Sequence, residues 1–250
     1  MKKVVLGIDA AWTERNPSGL AVAVRNADGW TLSGVFGSYA AFTGQTAQAQ
    51  GALLIPAAIA IAGAPPDLVA VDMPLSLRPI EGRREADNAV SRTFGGRKCS
   101  THSPGRDRPG TIGRQLQADL AAAGYLLATD VVVPPCTIEV YPHPALLALT
   151  GARERLPYKA QKTGNYWPGA SPTERRARLM DVWSTLVLSL EERIGGVAKA
   201  LPLPGPASRG AELKSFEDKL DAVVCAWVGI ETLEGRATAY GDKDAAIWIP

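Results

Sequence analysis

The sequence predicts an α/β protein in which helices flank a mixed β-sheet. The apolar opening run "KKVVLGIDAAW" is followed by two β-rich runs that the turn-forming pair Asp28-Gly29 separates, which is typical of an antiparallel three-strand meander. Two later apolar runs, "DLVAVDMPL" and "CTIEVYPHP", alternate with helical segments, as parallel strands do. Together these observations favour a sheet that combines an antiparallel meander with parallel strands.

The helices are predicted from their apolar periodicity and their end signals. The first covers "TAQAQGALLIPAAIAIAG" and is disturbed near Pro56, and the second covers "TIGRQLQADLAAAGY". A long amphipathic helix, "PTERRARLMDVWSTLVLSLEERIGG", is expected to begin with Thr173 as its cap. The last helix, "AELKSFEDKLDAVVCAWVGIETLEG", is expected to stop at Gly235.

A single domain over residues 1–250 is the expected organisation. A basic loop insertion at about 73–111 and an added helical segment at about 144–210 would elaborate it. The Pro/Gly-rich stretch "LPLPGPASRG" could divide the chain, but the final helix is too apolar to stand alone. The sequence leaves the oligomeric state open.

Composition argues against several classes of protein. Hydrophobic residues make up 46% and charged residues 21% of the chain, and the net charge of +2 is too small to indicate nucleic-acid binding by bulk charge. The cysteines Cys99, Cys136 and Cys225 show no metal-ligand spacing. Asp9 interrupts the N-terminal apolar run too early for a signal peptide, and no apolar run is long enough to cross a membrane. We therefore expect a reduced, cytoplasmic protein.

Acidic residues mark each of three apolar strands. Asp9 and Asp72 end runs of similar length, and Glu139 lies within the third run. Because ligands gather beyond the carboxyl ends of parallel strands, Asp9 and Asp72 could emerge at one edge of the sheet. Asp221 lies in the apolar part of the last helix, where an unpaired carboxylate is costly, and Asp218 lies one turn before it.

Clustered carboxylates repel one another, and a hard divalent cation such as Mg²⁺ or Mn²⁺ removes that penalty. The predicted metal ligands are therefore Asp9, Asp72 and Asp221, with Asp218 or Glu139 assisting catalysis. Simpler explanations stay open for four of these acids. Asp9 could cap a turn and Asp72 could belong to a strand-to-turn junction. Glu139 could face solvent on an edge strand, and Asp218 could form a capping box with a serine three residues earlier.

The insertion after the second of these strands is the most basic part of the chain. Residues 78–114 carry nine basic and four acidic residues, so the remainder of the chain is net acidic. The arginines of the insertion are predicted to bind substrate phosphate, in particular Arg84, Arg92 and Arg97. A solvated loop is the alternative explanation for such a run.

The two histidines of the chain lie in unusual surroundings, "STHSPGRDRPG" and "VYPHPAL". His102 and His143 are predicted to border the site as substrate-binding residues, although either could be purely structural. Phe94 is the only aromatic residue of the basic insertion, so stacking on single-stranded bases has little support there. A phosphorylated small molecule fits the insertion as well as a nucleic acid does.

Six motifs resemble those of one known family: "GIDAAW", "VDMPL", "SRTFGGRKCSTHSP", "EVYPHPA", "FEDKLDAVVCAW" and the terminal "AAIWIP". Together they cover essentially the whole chain and are similar to the domain-of-unknown-function 429 family, whose members are described as predicted RNase H-like nucleases. The resemblance implies the ribonuclease H-like fold. It also implies catalytic acids on the first strand, the fourth strand and the last helix, here Asp9, Asp72, and Asp221 with Asp218. Glu139 lies on a later strand and matches that pattern less closely.

The leading interpretation is a divalent-metal-dependent phosphodiester hydrolase, a nuclease, in which Arg84 or Arg92 neutralises the charge that develops on phosphorus oxygens. A phosphotransferase of the sugar kinase and actin-like branch is one alternative, but the sequence offers no Gly-rich phosphate loop. A non-catalytic protein that binds phosphate or nucleic acid is another. The expected partner is a nucleic acid or a phosphorylated small molecule, and no association with a membrane is expected.

Overall fold

The computed structural model describes residues 2–13, 16–44 and 51–250. Its strands are β1 (Lys3–Asp9), β2 (Gly19–Asn26), β3 (Gly29–Phe36), β4 (Leu68–Asp72), β5 (Leu126–Leu127), β6 (Cys136–Val140), β7 (Thr238–Gly241) and β8 (Ala246–Ile249). Within the described residues they form one eight-stranded sheet in the order β3-β2-β1-β4-β6-β8-β7, and the short β5 pairs with β6.

The sheet is mixed, as the sequence predicts. Strands β1, β2 and β3 form the antiparallel meander, and Gly29, at φ +121°, opens β3 directly after the turn. Strand β4 pairs in parallel with β1, β6 with β4, and β8 with β6. The α/β fold class is confirmed, and the arrangement is consistent with the ribonuclease H-like fold.

Helices cover both faces of this sheet. They are α1 (Tyr39–Thr43), α2 (Gly51–Ala62), α3 (Glu85–Phe94), α4 (Thr111–Ala122), α5 (Pro142–Thr150), α6 (Thr163–Tyr166), α7 (Pro172–Glu191), α8 (Val197–Ala200) and α9 (Gly210–Leu233). Alternate residues of β1 pack into two separate cores: Val5 packs with α5, α7 and α9, whereas Leu6 packs with α2 and α4. A strand buried on both faces needs apolar residues at every position, which explains the continuous apolar run of β1.

Helix α9 lies unusually close to the sheet, and glycines make this possible. A Cβ atom on Gly7 would stand 2.3 Å from the carbonyl oxygen of Ala222, and one on Gly19 would stand 2.0 Å from that of Asp218. Both distances are far inside van der Waals contact, so neither position tolerates a side chain without a shift of the backbone. The close approach places the acidic turn of α9 directly over the ends of β1 and β2.

The structure corrects several local predictions. Helix α7 begins after Ser171, which caps it and forms a capping box with Glu174, so the cap predicted at Thr173 is wrong. Helix α9 begins at Gly210, so Asp218 lies well inside the helix and the capping-box explanation for it is wrong. Helix α2 continues past Pro56, and residues 46–50 of the predicted helix lie outside the described residues.

Several elements were not predicted from the sequence, among them α3, β7 and β8. Helix α3 forms inside the basic insertion and buries Val90 and Phe94 against β8, whose Ile247 and Ile249 complete a third small core. Strands β7 and β8 extend the sheet at its far edge.

The three cysteines are buried and unpaired. In the part of the chain that the structure describes, no helix has the length and apolar character needed to cross a membrane.

Candidate functional site

Two carboxylates meet at the carboxyl ends of neighbouring parallel strands. Asp9 ends β1, Asp72 ends β4, and the two residues are direct partners in the parallel register. Paired residues of adjacent strands lie about 5 Å apart and on the same face of a sheet. Both side chains are partly exposed, and both line a cavity at this edge of the sheet. The predicted convergence of these two acids is thus present in the structure.

Helix α9 adds three more carboxylates to this edge. Glu217, Asp218 and Asp221 are 3%, 2% and 0% exposed, which is exceptional for acids in a soluble protein. They lie on the part of α9 that approaches the strand ends most closely. These three residues with Asp9 and Asp72 are called the acidic cluster below.

Two lysines are inserted into the acidic cluster. The ammonium group of Lys159 contacts Asp221 and lies 3.3 Å from Glu217 Oε1. Lys214, on the first half of α9, contacts Asp218 and lies 3.1 Å from the same oxygen of Glu217. Tyr158 donates its hydroxyl to Asp221 Oδ1 at 2.8 Å.

Asp9 and Asp72 make no ion pair within the described residues, and their neighbours shift the pKa of both. Burial and then the charge of Asp221 raise the pKa of Asp72 to about 7. The same two causes, followed by the charges of Asp72 and Asp218, raise the pKa of Asp9 well above its usual range, and Lys159 offsets only part of this. Burial lowers the pKa of Lys159, but Asp221, Tyr158 and Glu217 together outweigh burial and the net shift is well upward, so this lysine stays charged. Mutual repulsion of this kind is a frequent mark of a functional site.

The acidic cluster fits a divalent cation in donor type and in charge. When all are ionised, its five carboxylates face the two ammonium groups of Lys159 and Lys214 and leave three negative charges uncompensated. Asp218 Oδ2 is buried without a hydrogen-bond partner within the described residues, although a buried carboxylate oxygen normally has one. Among those same residues, no three His, Cys, Asp or Glu side chains are already grouped as ligands of one ion. The lysines therefore hold the acids in an ion-paired arrangement that a cation would have to open.

Glu139 belongs to a separate network. It lies on the central strand β6, 4% exposed, so the edge-strand explanation is wrong. Arg84 binds both of its oxygens, at 2.6 and 2.7 Å, and also pairs with Asp87 at 3.0 Å. Leu75 donates its backbone N–H to Glu139 at 2.7 Å. Glu139 was predicted to assist catalysis and Arg84 to bind phosphate. In the structure the two side chains bind each other, and this contact connects helix α3 to the sheet.

Most of the other predicted substrate-binding residues also have partners of their own. Arg92 pairs with Glu85 on the exposed face of α3, and Arg97 donates to the backbone carbonyl oxygens of Ala152 and Arg153. The two histidines differ: His102 is exposed, and His143 is buried at 7% exposure. Both line a cavity next to the acidic cluster.

Sequence reasoning missed Lys159, Lys214, Tyr158 and Glu217. Lys214 was detectable, because it lies one helical turn before Asp218 in the predicted last helix. Lys159 and Tyr158 come from an irregular segment after α5, where no periodicity indicates which side chain turns inward. Only the folded chain reveals this pair.

Comparison with known proteins agrees with the fold and leaves the activity open. A family model described as "Protein of unknown function (DUF429)" matches residues 7–245. The chain belongs to this family. No curated protein matches the chain. Membership in DUF429 confirms the resemblance that the six sequence motifs indicate, and the matched region contains the entire acidic cluster.

Proposed function

We propose that this DUF429 protein is a divalent-metal-dependent phosphodiester hydrolase, and that its substrate is a nucleic acid. The observation that carries the proposal is the convergence of acids from three elements: Asp9 and Asp72 are partners at the ends of β1 and β4, and Asp221 is, after burial, the largest cause that raises the pKa of each. Acids held this close are unfavourable for a fold unless a cation or a reaction uses them.

The ligands of the ion would be Asp9, Asp72 and Asp221. When bound, Mg²⁺ or Mn²⁺ would act as a Lewis acid on a phosphoryl oxygen and would lower the pKa of a water ligand. Asp218, whose Oδ2 has no hydrogen-bond partner within the described residues, would serve as a proton acceptor. Lys214, whose side chain is 34% exposed and lines both cavities of the site, can donate to a phosphate oxygen as negative charge develops.

An aromatic platform supports a nucleic-acid substrate. Trp12 is partly exposed and lines both cavities beside the acidic cluster. The guanidinium carbon of Arg108 lies 5.6 Å from the centre of its ring. An exposed tryptophan with a neighbouring arginine is suited to stacking a base and holding its phosphate. This feature lies outside the arginines that the sequence singled out.

The direct test is hydrolysis of labelled single-stranded DNA, duplex DNA and RNA, and of bis(4-nitrophenyl) phosphate, with Mg²⁺, with Mn²⁺ and with EDTA. Asp72→Asn removes one proposed ligand, and Asp130→Asn removes an exposed acid that makes no ion pair within the described residues. We expect metal-dependent cleavage that Asp72→Asn reduces by roughly 100-fold or more and Asp130→Asn leaves unchanged.

Two results would contradict this function. Cleavage that survives Asp72→Asn would place the reaction elsewhere in the molecule or in a contaminant. Absence of cleavage of every diester, together with heat release on ATP addition, would favour the phosphotransferase alternative.

A further inference from the structure

A second feature of the site is a cavity of about 300 Å³ beside the acidic cluster. Its lining includes the acids Asp72 and Glu217 and the basic side chains of Arg155, Lys162 and His102. Arg155 and Lys162 belong to the irregular segment that also supplies Lys159, and neither was singled out from the sequence. The cavity therefore holds side chains of both charges within one small volume.

Arg155 and Lys162 have no ion-pair partner within the described residues. Neither the Arg155 guanidinium nor the Lys162 ammonium makes a hydrogen bond or ion pair with any described residue, whereas the arginines of the insertion mostly do. Burial and then the charge of Arg155 lower the pKa of Lys162. Burial, Lys162 and Arg155 lower the pKa of His102 in the same way. These groups repel one another, so an anion placed among them would relieve the repulsion.

A buried histidine lines the same cavity. His143 is 7% exposed, and its Nδ1 has no hydrogen-bond partner within the described residues. The ring is held edge-on by Tyr141 and Tyr158, with centroids 5.3 and 5.4 Å away. Burial and the charge of Lys159 hold its pKa well below the usual value, so the imidazole is neutral. A buried nitrogen normally has a hydrogen-bond partner, and a polar ligand in the cavity would supply one.

We propose that Arg155, Lys162 and His143 form a phosphate-binding subsite, which rests on the proposed function and receives the phosphate next to the one that is cleaved. The guanidinium offers a planar pair of donors that matches two phosphate oxygens, and the ammonium adds a point charge. The histidine contributes one directed hydrogen bond. Because the acidic cluster repels any phosphate, a cationic pocket directly beside it supplies the attraction that the catalytic edge lacks.

Equilibrium binding without turnover tests this subsite. Calorimetric titrations in EDTA would use inorganic phosphate, thymidine 5′-monophosphate and a 5′-phosphorylated thymidine dinucleotide as the probes. The variants are Arg155→Met and Lys162→Met. Their matched controls are Arg153→Met, an exposed arginine two residues away, and Lys199→Met, an exposed lysine on α8, neither of which lines the cavity. Lys162 and both control residues are exposed, so these variants keep the fold.

We expect Arg155→Met and Lys162→Met each to weaken binding roughly tenfold, and both controls to bind as the parent does. Equal affinity for phosphate and nucleotide would support the subsite and identify a terminal or free phosphate as its ligand. Tighter binding of the dinucleotide would support it and identify a neighbouring phosphate in a chain. A parent that binds none of the probes, or variants that bind all of them unchanged, would overturn the subsite.

Failure of the subsite is distinguishable from failure of the proposed function. Phosphate binding that depends on Arg155, in a protein that cleaves no diester with any metal, would keep the subsite and remove the hydrolase. Metal-dependent cleavage with unaltered KM in Arg155→Met and Lys162→Met would keep the hydrolase and remove the subsite.

Discussion

The ammonium group of Lys159 contacts the carboxylate of Asp221, the one member of the acidic cluster with no solvent exposure. Asp221 interrupts an otherwise apolar stretch of α9, and its partners are Lys159 and the hydroxyl of Tyr158. Within the described residues, the lysine thus takes the place that a metal ion would take beside this acid. This ion pair and those of Lys214 offset part of the repulsion among the five neighbouring carboxylates.

Removal of the lysine charge is expected to destabilise the metal-free protein. In Lys159→Met, the acidic cluster keeps only Lys214, and Asp221 becomes a buried charge without an ion pair. Breaking a buried pair in this way typically costs about 3–5 kcal/mol. Urea unfolding at pH 7.5 in EDTA measures the loss, and Lys199→Met, an exposed lysine, is the control that should change by less than about 0.5 kcal/mol. Equal stability of Lys159→Met and the parent would show that Asp221 does not depend on this partner.

The pKa of Asp72 gives the metal-free protein a specific pH dependence. Its value of about 7 in the folded protein lies above the unfolded value near 3.8, so the folded state holds the proton more tightly. Stability from this group is therefore present at low pH and lost as the pH rises through about 7. We expect the free energy of unfolding in EDTA to be about 1–2 kcal/mol larger at pH 5.5 than at pH 7.5. Asp72→Asn should reduce that difference, and an unchanged difference would contradict the shifted pKa.

Arg84 and Arg92 are expected to behave in opposite ways on substitution. The side chain of Arg84 is 8% exposed and binds Glu139 and Asp87, so Arg84→Met leaves two buried acids unpaired and should cost about 3–5 kcal/mol. Arg92 pairs with Glu85 in solvent, where such a pair contributes about 0–1 kcal/mol. Thermal unfolding of the two methionine variants provides the comparison. Similar melting temperatures would mean that the Arg84 network does not anchor α3.

The sequence predicted the architecture well because its signals are local. Continuous apolar runs predicted β1, β4 and β6, and the turn at Asp28-Gly29 predicted the meander. The pairing of Asp9 with Asp72 followed from the rule that parallel strands end at one edge. Strand β8 was missed because its four residues lie at the end of the chain without a flanking period.

The partners of the charged residues were not predictable in the same way. Arg84 lies 55 residues from Glu139, and Lys159 lies 62 residues from Asp221, so nothing in their local sequence indicates the pairing. Within a basic run of the sequence, an arginine that pairs with a buried acid cannot be distinguished from an arginine exposed to solvent. The sequence could therefore locate the acids of the site but not the cations that balance them.

The most direct test of the central claim is the binding of Mn²⁺ to the acidic cluster, measured from the free-ion electron paramagnetic resonance signal during a titration. The account predicts saturable binding to the parent and to Asp130→Asn, and a loss of at least about tenfold in affinity in Asp9→Asn, Asp72→Asn and Asp221→Asn. Circular dichroism of each variant establishes that it is folded. Binding that is absent in the parent, or that all three cluster variants retain unchanged, would contradict a metal centre formed by these acids.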